Sequence, residues 1–384
     1  MKKVYLDNAA TTKVDAEVIQ KMSQVLTDFY GNPSSTHSFG KSAKTMVEKA
    51  RKSISKCIGA DTTEIIFTSG GTEANNMILR SAVRDLKVEV IITSNIEHHA
   101  VLNTVLQLQS DYGIEVLYVD LDTNGNVDLT KFERLLGENE ERKVLVSLMH
   151  VNNEIGNILP IEKVGLLCKA YGVYFHSDTV QSITHFSFDL QHMNVDFLTA
   201  SAHKFHGPKG VGFTYIKKGL GIKPLLFGGE QERGLRAGTE AVHNIIGLET
   251  AFVKAVSTSD TTEEQLTFIK QYFMNRLTEH FSGVTFNGNS GVIENSVNTI
   301  LNVCFPFSAE KGKLLLFHLD LLGGIACSAG SACQSGSNKP SHVLTAILSE
   351  DDLAKPSIRF SFSKETTTED IDYTVQKLID FDKK

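Results

Sequence analysis

Seven short apolar runs, separated by segments of helical periodicity, constrain this chain more than any other feature. They are Glu64–Ser69, Val88–Ser94, Ile114–Asp120, Lys143–Val151, Val173–Asp178, Asp196–Ala202 and Gly210–Ile216. Most are rich in β-branched or aromatic residues and bounded by turn formers, the signature of strands. Between them lie stretches such as Ala100–Gln109 and Ile161–Ala170, whose apolar residues recur at three- and four-residue spacing, as a helix requires. Strands and helices in alternation give βαβ units. The expected class is therefore α/β, with a mostly parallel sheet covered by helices. Beyond the polar stretch Ser257–Glu264 the pattern changes. Short strands at Gly283–Phe286, Val297–Phe305, Ile325–Ser328 and Ser357–Ser363 alternate with helices, which reads as a smaller α+β domain.

Composition narrows the function. Of 384 residues, 41% are hydrophobic and 22% charged, which excludes a disordered, collagen-like or coiled-coil chain and leaves room for two or three domains. The formal charge of −7 leaves no basic surplus to neutralise phosphates, so no direct nucleic-acid partner is expected. Met1–Thr12 has no apolar targeting core, and the longest apolar stretch, Leu314–Ala326, is broken by His318 and Asp320. Neither a leader nor a membrane span is expected. The five cysteines are odd in number, widely spaced and without a C-x-x-C pair. That argues against a disulfide scaffold or zinc site and for a reducing, cytoplasmic setting.

Chemistry gathers where the apolar runs end. Thr68–Glu73 (TSGGTE) places two glycines between a strand and a helix start near Thr72. Backbone N–H groups there attract an anion, although a simple Thr72 helix cap fits the same residues. No Walker lysine follows. Ser201–Gly210 (SAHKFHGPKG) ends another run with Lys204 between two histidines. A desolvated lysine in that place is a nucleophilic amine, while a solvated loop lysine is the plainer alternative. Asp178, the pair His98 and His99, and Met149–Glu154 fall at the same edge, where open α/β sheets bind ligands. One shared site explains such a set of strand ends better than separate structural roles.

Two further residues stand apart. Arg359 alternates with Ile358 and Phe360, so it is either a solvent-facing strand residue or a bidentate clamp on a carboxylate. Cys333 lies within Ser328–Asn338 (SAGSACQSGSN), whose composition is that of a flexible linker. A cysteine there is better placed to visit two partners than to pack. Cys327, at the root of that stretch, reads as strand-end filler.

Together these motifs resemble the cysteine desulfurases of the NifS/IscS type, among the fold-type I pyridoxal-phosphate enzymes (class V aminotransferases). The resemblance runs from Tyr5–Thr12 (YLDNAATT) to the final helix. It rests on TSGGTEANN (68–76), HVNNEIG (150–156), SDTVQS (177–182), SAHKFHGPKG (201–210), GGEQERGLRAGT (228–239), GSAC (330–333) and SIRFS (357–361). It implies a seven-stranded, mostly parallel sheet in a large cofactor-binding domain at 14–258. A small domain, 1–13 with 259–384, would carry a mobile cysteine loop at 327–338.

The resemblance also implies roles. Pyridoxal 5′-phosphate would be carried by Lys204 as a Schiff base. Asp178 would pair with the pyridinium nitrogen, Gln181 with the phenolic oxygen near Asn153, and His98 would stack on the ring. Gly71, Thr72, Ser201 and His203 would hold the phosphate, joined by Thr239 from the other subunit of a homodimer. Arg359, with Asn153, would bind the substrate carboxylate of L-cysteine. Lys204 would take the Cα proton, Cys333 would attack the sulfur, and His98 is a candidate base for the thiol. The products would be L-alanine and a persulfide on Cys333. That sulfur would pass to an acceptor such as an iron–sulfur scaffold or a tRNA-thiolation enzyme. A selenocysteine lyase or another class V pyridoxal enzyme is the alternative.

Overall fold

The computed structural model describes residues 2–329 and 341–383. Within them the strands in chain order are β1 (Val4–Tyr5), β2 (Ile65–Thr68), β3 (Val90–Thr93), β4 (Glu115–Tyr118), β5 (Val144–Ser147), β6 (Tyr174–Asp178), β7 (Phe197–Ser201), β8 (Gly212–Ile216), β9 (Thr285–Phe286), β10 (Ile300–Cys304), β11 (Ile325–Ala326) and β12 (Ser357–Ser361). The first helices are α1 (Ala16–Asp28), α2 (Ser38–Cys57), α3 (Gly71–Asp85) and α4 (His99–Tyr112).

A seven-stranded sheet has the order β2-β8-β7-β6-β5-β3-β4. It is parallel from β4 through β7, and β8 runs antiparallel to both its neighbours. Every residue of β2, β3, β5, β7 and β8 is buried, so these strands read as unbroken apolar runs. Alternation still sorts their faces. Ile65, Phe67, Val90, Ile92, Val144 and Val146 enter one core, with residues of α1, α2 and the helix Val242–Ser257. Ile66, Ile91 and Leu145 enter the opposite core, with Met77, Ile78, Val101 and Val105 of α3 and α4. The edge strand β4 is half exposed.

A second sheet, β12-β10-β9, is antiparallel, and β1 pairs in parallel with β11 beside it. Their core joins Val4 and Leu6 from the start of the chain to Phe273, Phe305, Phe360, Phe362 and Phe381 near its end. The polar stretch Ser257–Glu264 is not a loop. The helix Val242–Ser257 gives way at Thr258 to a helix spanning Ser259–His280. The stretch lacks apolar residues because most of its side chains face water at that junction. Among the described residues, no helix is long and apolar enough to cross a membrane.

Candidate active site

The carboxyl ends of β2, β3, β5, β6 and β7 share one edge of the large sheet. A cavity of about 220 Å³ opens there, lined by Gly71, Thr72, His98, Asn153, Asp178, Gln181, Ser201, His203, Lys204 and Arg359. Ala9, Ala10, Asn75, Met149, Val151 and Val180 complete the wall.

Asp178 closes β6 and is buried. Its Oδ1 accepts the Val180 amide at 3.0 Å, and its Oδ2 accepts Asn75 Nδ2 at 2.7 Å. Asn75 is the functional residue that sequence reasoning missed. The signal was present, since it stands four residues after Gly71, on the same face of α3 as the turn.

The start of α3 is a cradle. Gly70 holds φ 146°, a conformation only glycine adopts readily, and no side chain among the described residues caps the helix. A Cβ on Gly71 would come within 2.9 Å of Val180 Cγ2. The first-turn amides point outward without intrahelical partners, and the helix dipole adds positive potential.

Beyond β7, Ser201 leads into a 3-10 turn, Ala202–Lys204. The buried Nδ1 of His203 has no hydrogen-bond partner among the described residues. Burial, reinforced by Lys204 and Lys209, pushes the His203 pKa down to about 4, so its ring is neutral near pH 7. Lys204 Nζ donates to Ala9 O at 2.6 Å and Ala10 O at 2.9 Å. Gln181 Nε2 also donates to Ala9 O, at 2.9 Å. The Thr12 amide and hydroxyl both donate to His203 O, zipping the N-terminal segment along the lysine turn.

His98 caps α4, its Nδ1 accepting the Ala100 amide at 3.1 Å. That bond assigns its remaining proton to Nε2 in the neutral ring. Burial lowers the His98 pKa, with Asp178 opposing and Lys204 and His342 assisting the shift. His99 packs its ring 4.5 Å from that of His342, and His150 packs against Phe186 and Phe188, so neither lines the cavity. Beneath the site, Glu97 Oε1 accepts Ser94 Oγ and the Met149 amide, and burial pushes the carboxyl up to about 8.

Arg359, in the middle of β12, is only 1% exposed, which settles its two readings against the solvent-facing one. Its face of the small sheet meets Asn153 and Asp7 rather than water. Nη1 donates to Asn153 O at 2.8 Å and Nη2 to Asp7 Oδ1 at 2.9 Å, while Nε has no partner among the described residues. Thr239 is not brought into the cavity; it is exposed, beside Thr68, Arg236 and Glu240. Cys333 lies outside the described residues. Cys327 packs against the core around the second sheet, and burial with Asp7 and Asp320 pushes its thiol pKa up.

Residues 4–374 match the aminotransferase class-V family. A relative named cysteine desulfurase IscS, from Dictyoglomus turgidum, is 44% identical over 98% of this chain and 94% of its own. A solved NifS-like protein superposes with a TM-score of 0.90 at 37% identity, with both chains fully covered. A structure of SspA in complex with cysteine gives a TM-score of 0.81 at 33% identity, covering 95% of this chain and all of that one. Fold, edge site and likeness together place the chain in the class V aminotransferase family of fold-type I pyridoxal-phosphate enzymes. Within it, the chain belongs with the cysteine desulfurases of the NifS/IscS type.

The cavity suits that cofactor by its own chemistry. It offers a buried carboxylate at Asp178 for a ring nitrogen and an amine at Lys204 for an aldehyde. It also offers a glycine-walled helix start and the unpartnered Nδ1 of His203 for a phosphate.

Proposed function

We propose that this chain removes sulfur from L-cysteine, releases L-alanine and keeps the sulfur as a persulfide on Cys333. The observation that carries the reading is the placement of Lys204, Asp178 and Arg359 around one cavity. Pyridoxal phosphate, when bound, supplies an electron sink for charge developing at the substrate Cα. Lys204 would hold the cofactor and move the Cα proton at its Nζ. Asp178, oriented by Asn75, keeps the ring nitrogen protonated. Gly71, Thr72, Ser201 and His203 would hold the phosphate, Gln181 and Asn153 would orient the polar ring edge, and His98 would hold the ring. Arg359, with Asn153, holds the substrate carboxylate. The Cys333 thiolate forms an S–S bond as the substrate C–S bond breaks, with His98 a candidate base for the thiol.

The working unit is a homodimer in which Thr239 reaches the partner's phosphate. Exposed Tyr30, Phe39, Leu226 and Phe227 support an interface there, since Gln231 ties the 226–239 segment to Ser34. Residues 14–258 form the large domain, and 1–13 with 259–384 the small one. The sulfur passes in the cytoplasm to an acceptor protein, such as an iron–sulfur scaffold or a tRNA-thiolation enzyme.

A single turnover with L-cysteine and no reductant tests this. Intact mass should rise by one sulfur atom in wild type and in Cys327→Ser, but not in Cys333→Ser. Sulfur retained by Cys333→Ser and lost from Cys327→Ser would refute the Cys333 assignment. Alanine formed without any mass gain would point instead to a lyase that releases sulfur or selenium directly.

A further inference from the structure

Glu73 is the acidic residue in the first turn of α3. Its Oε2 accepts the Ser69 amide at 2.9 Å, so its carboxylate braces the Ser69–Gly71 turn. The same helix start is the one read above as holding a phosphate. A carboxylate there repels a second anion, and the repulsion is strong where water is partly excluded.

Arg236 answers that charge. Its Nε donates to Glu73 Oε1 at 2.8 Å and its Nη2 to Oε2 at 3.2 Å, a bidentate pair with both side chains mostly buried. Burial alone would raise the Glu73 pKa, but Arg236 and Ser69 hold it below the usual carboxylate range. Arg236 itself does not line the cavity; it lies in the segment that carries Thr239.

We propose that Arg236 is a positioning residue for the cofactor phosphate, acting through Glu73. It neutralises a carboxylate that the turn needs for its shape, so the helix start presents positive potential to the incoming dianion. The proposal rests on the reading that the α3 turn holds the phosphate.

The test titrates apo-protein with pyridoxal phosphate and with pyridoxal, followed by absorbance. Wild type should bind pyridoxal phosphate far more tightly than pyridoxal. Arg236→Gln should weaken pyridoxal phosphate by about tenfold or more and leave pyridoxal unchanged. Glu73→Gln combined with Arg236→Gln should recover most of that loss, because the charge needing neutralisation is gone. Arg236→Lys, which keeps the charge, should retain most of the affinity even if the Gln variant folds poorly. Equal loss for both ligands, or no recovery in the double variant, overturns the proposal. The second result would assign the effect to displacement of Thr239. Wild type that fails to discriminate between the two ligands would refute the phosphate site itself.

Discussion

Asn75 and Asp178, 103 residues apart in sequence, meet at 2.7 Å in the buried wall of the cavity. With the Val180 amide on the other oxygen, both lobes of the Asp178 carboxylate carry a donor before any ligand arrives. Those bonds fix the orientation of the carboxylate in the cavity wall, where it would face a pyridinium nitrogen. Asp178→Asn should therefore lower alanine formation by about 10²–10³. Asn75→Ala should act less severely, removing a hydrogen bond to a charged group worth about 1.5–3 kcal/mol. Cofactor absorbance across pH distinguishes them, with the protonated-ring band weakened in both variants. An unchanged titration in Asn75→Ala would show that Asp178 needs no such support.

Gly71→Ala tests the cradle. The new methyl would stand 2.9 Å from Val180 Cγ2, closer than carbon atoms tolerate, so either the first turn of α3 or the Val180 side chain must shift. Protein purified from this variant should hold less pyridoxal phosphate per chain than wild type. Full occupancy would mean that the turn has slack or the phosphate sits elsewhere.

Arg359→Lys tests the clamp. A lysine gathers its donors on one nitrogen and cannot reproduce the planar fork that reaches Asn153 O and Asp7 Oδ1 from separate nitrogens while facing a substrate carboxylate. The expected result is a KM for L-cysteine raised by about tenfold or more, with kcat less affected. A fall in kcat alone would argue that Arg359 acts on the reacting centre.

Much of this site was legible because its residues sit at strand ends. Asp178 is the last residue of β6, so an apolar run stopping at a polar residue already located it, whereas Ser201, the last residue of β7, was reached through the family resemblance. Arg359 was ambiguous for a physical reason. Alternation separates two faces of a strand, but not a face that meets water from one that meets a distant part of the chain. Asn75 was passed over although its spacing from Gly71 marked it, because only the fold shows that its partner is Asp178. Ser257–Glu264 stood out as a boundary because a helix junction bathed in water lacks apolar residues.

The pH profile should show Glu97 acting against the buried histidines. The Glu97 pKa is raised to about 8 in the folded protein, so between about pH 4.5 and 8 the folded state binds the extra proton. Its contribution is present below pH 4.5 and is lost as pH rises through 8. His150 and His203, lowered to about 4, and His176, lowered to about 3, work in the opposite sense. Their contribution is present above pH 6.5 and is lost as pH falls toward those values. Melting curves of Glu97→Gln should therefore gain on wild type as pH rises from 4.5 to 8. A constant difference between the two proteins would show that Glu97 titrates alike in both states.

The segment that carries Arg236 and Thr239 is held by a second ion pair, Arg51 with Glu232. Nη1 meets Oε2 at 2.7 Å and Nη2 meets Oε1 at 2.9 Å, with both side chains almost wholly buried. Glu232 also accepts the Phe67 amide, and Arg51 also donates to Ile65 O, which ties the pair to β2. Glu232 and Arg233 adopt φ 47° and 58°, left-handed values that non-glycine residues keep only when the surroundings enforce them. Arg51→Met leaves Glu232 buried without a counter-charge and should cost about 3–5 kcal/mol in stability. Adding Glu232→Gln removes the stranded charge while preserving an acceptor for Phe67, and should recover part of that loss. Urea midpoints at constant slope measure both changes. If the two losses simply add, the pair is no unit, and the left-handed turn owes its shape to something other than Arg51.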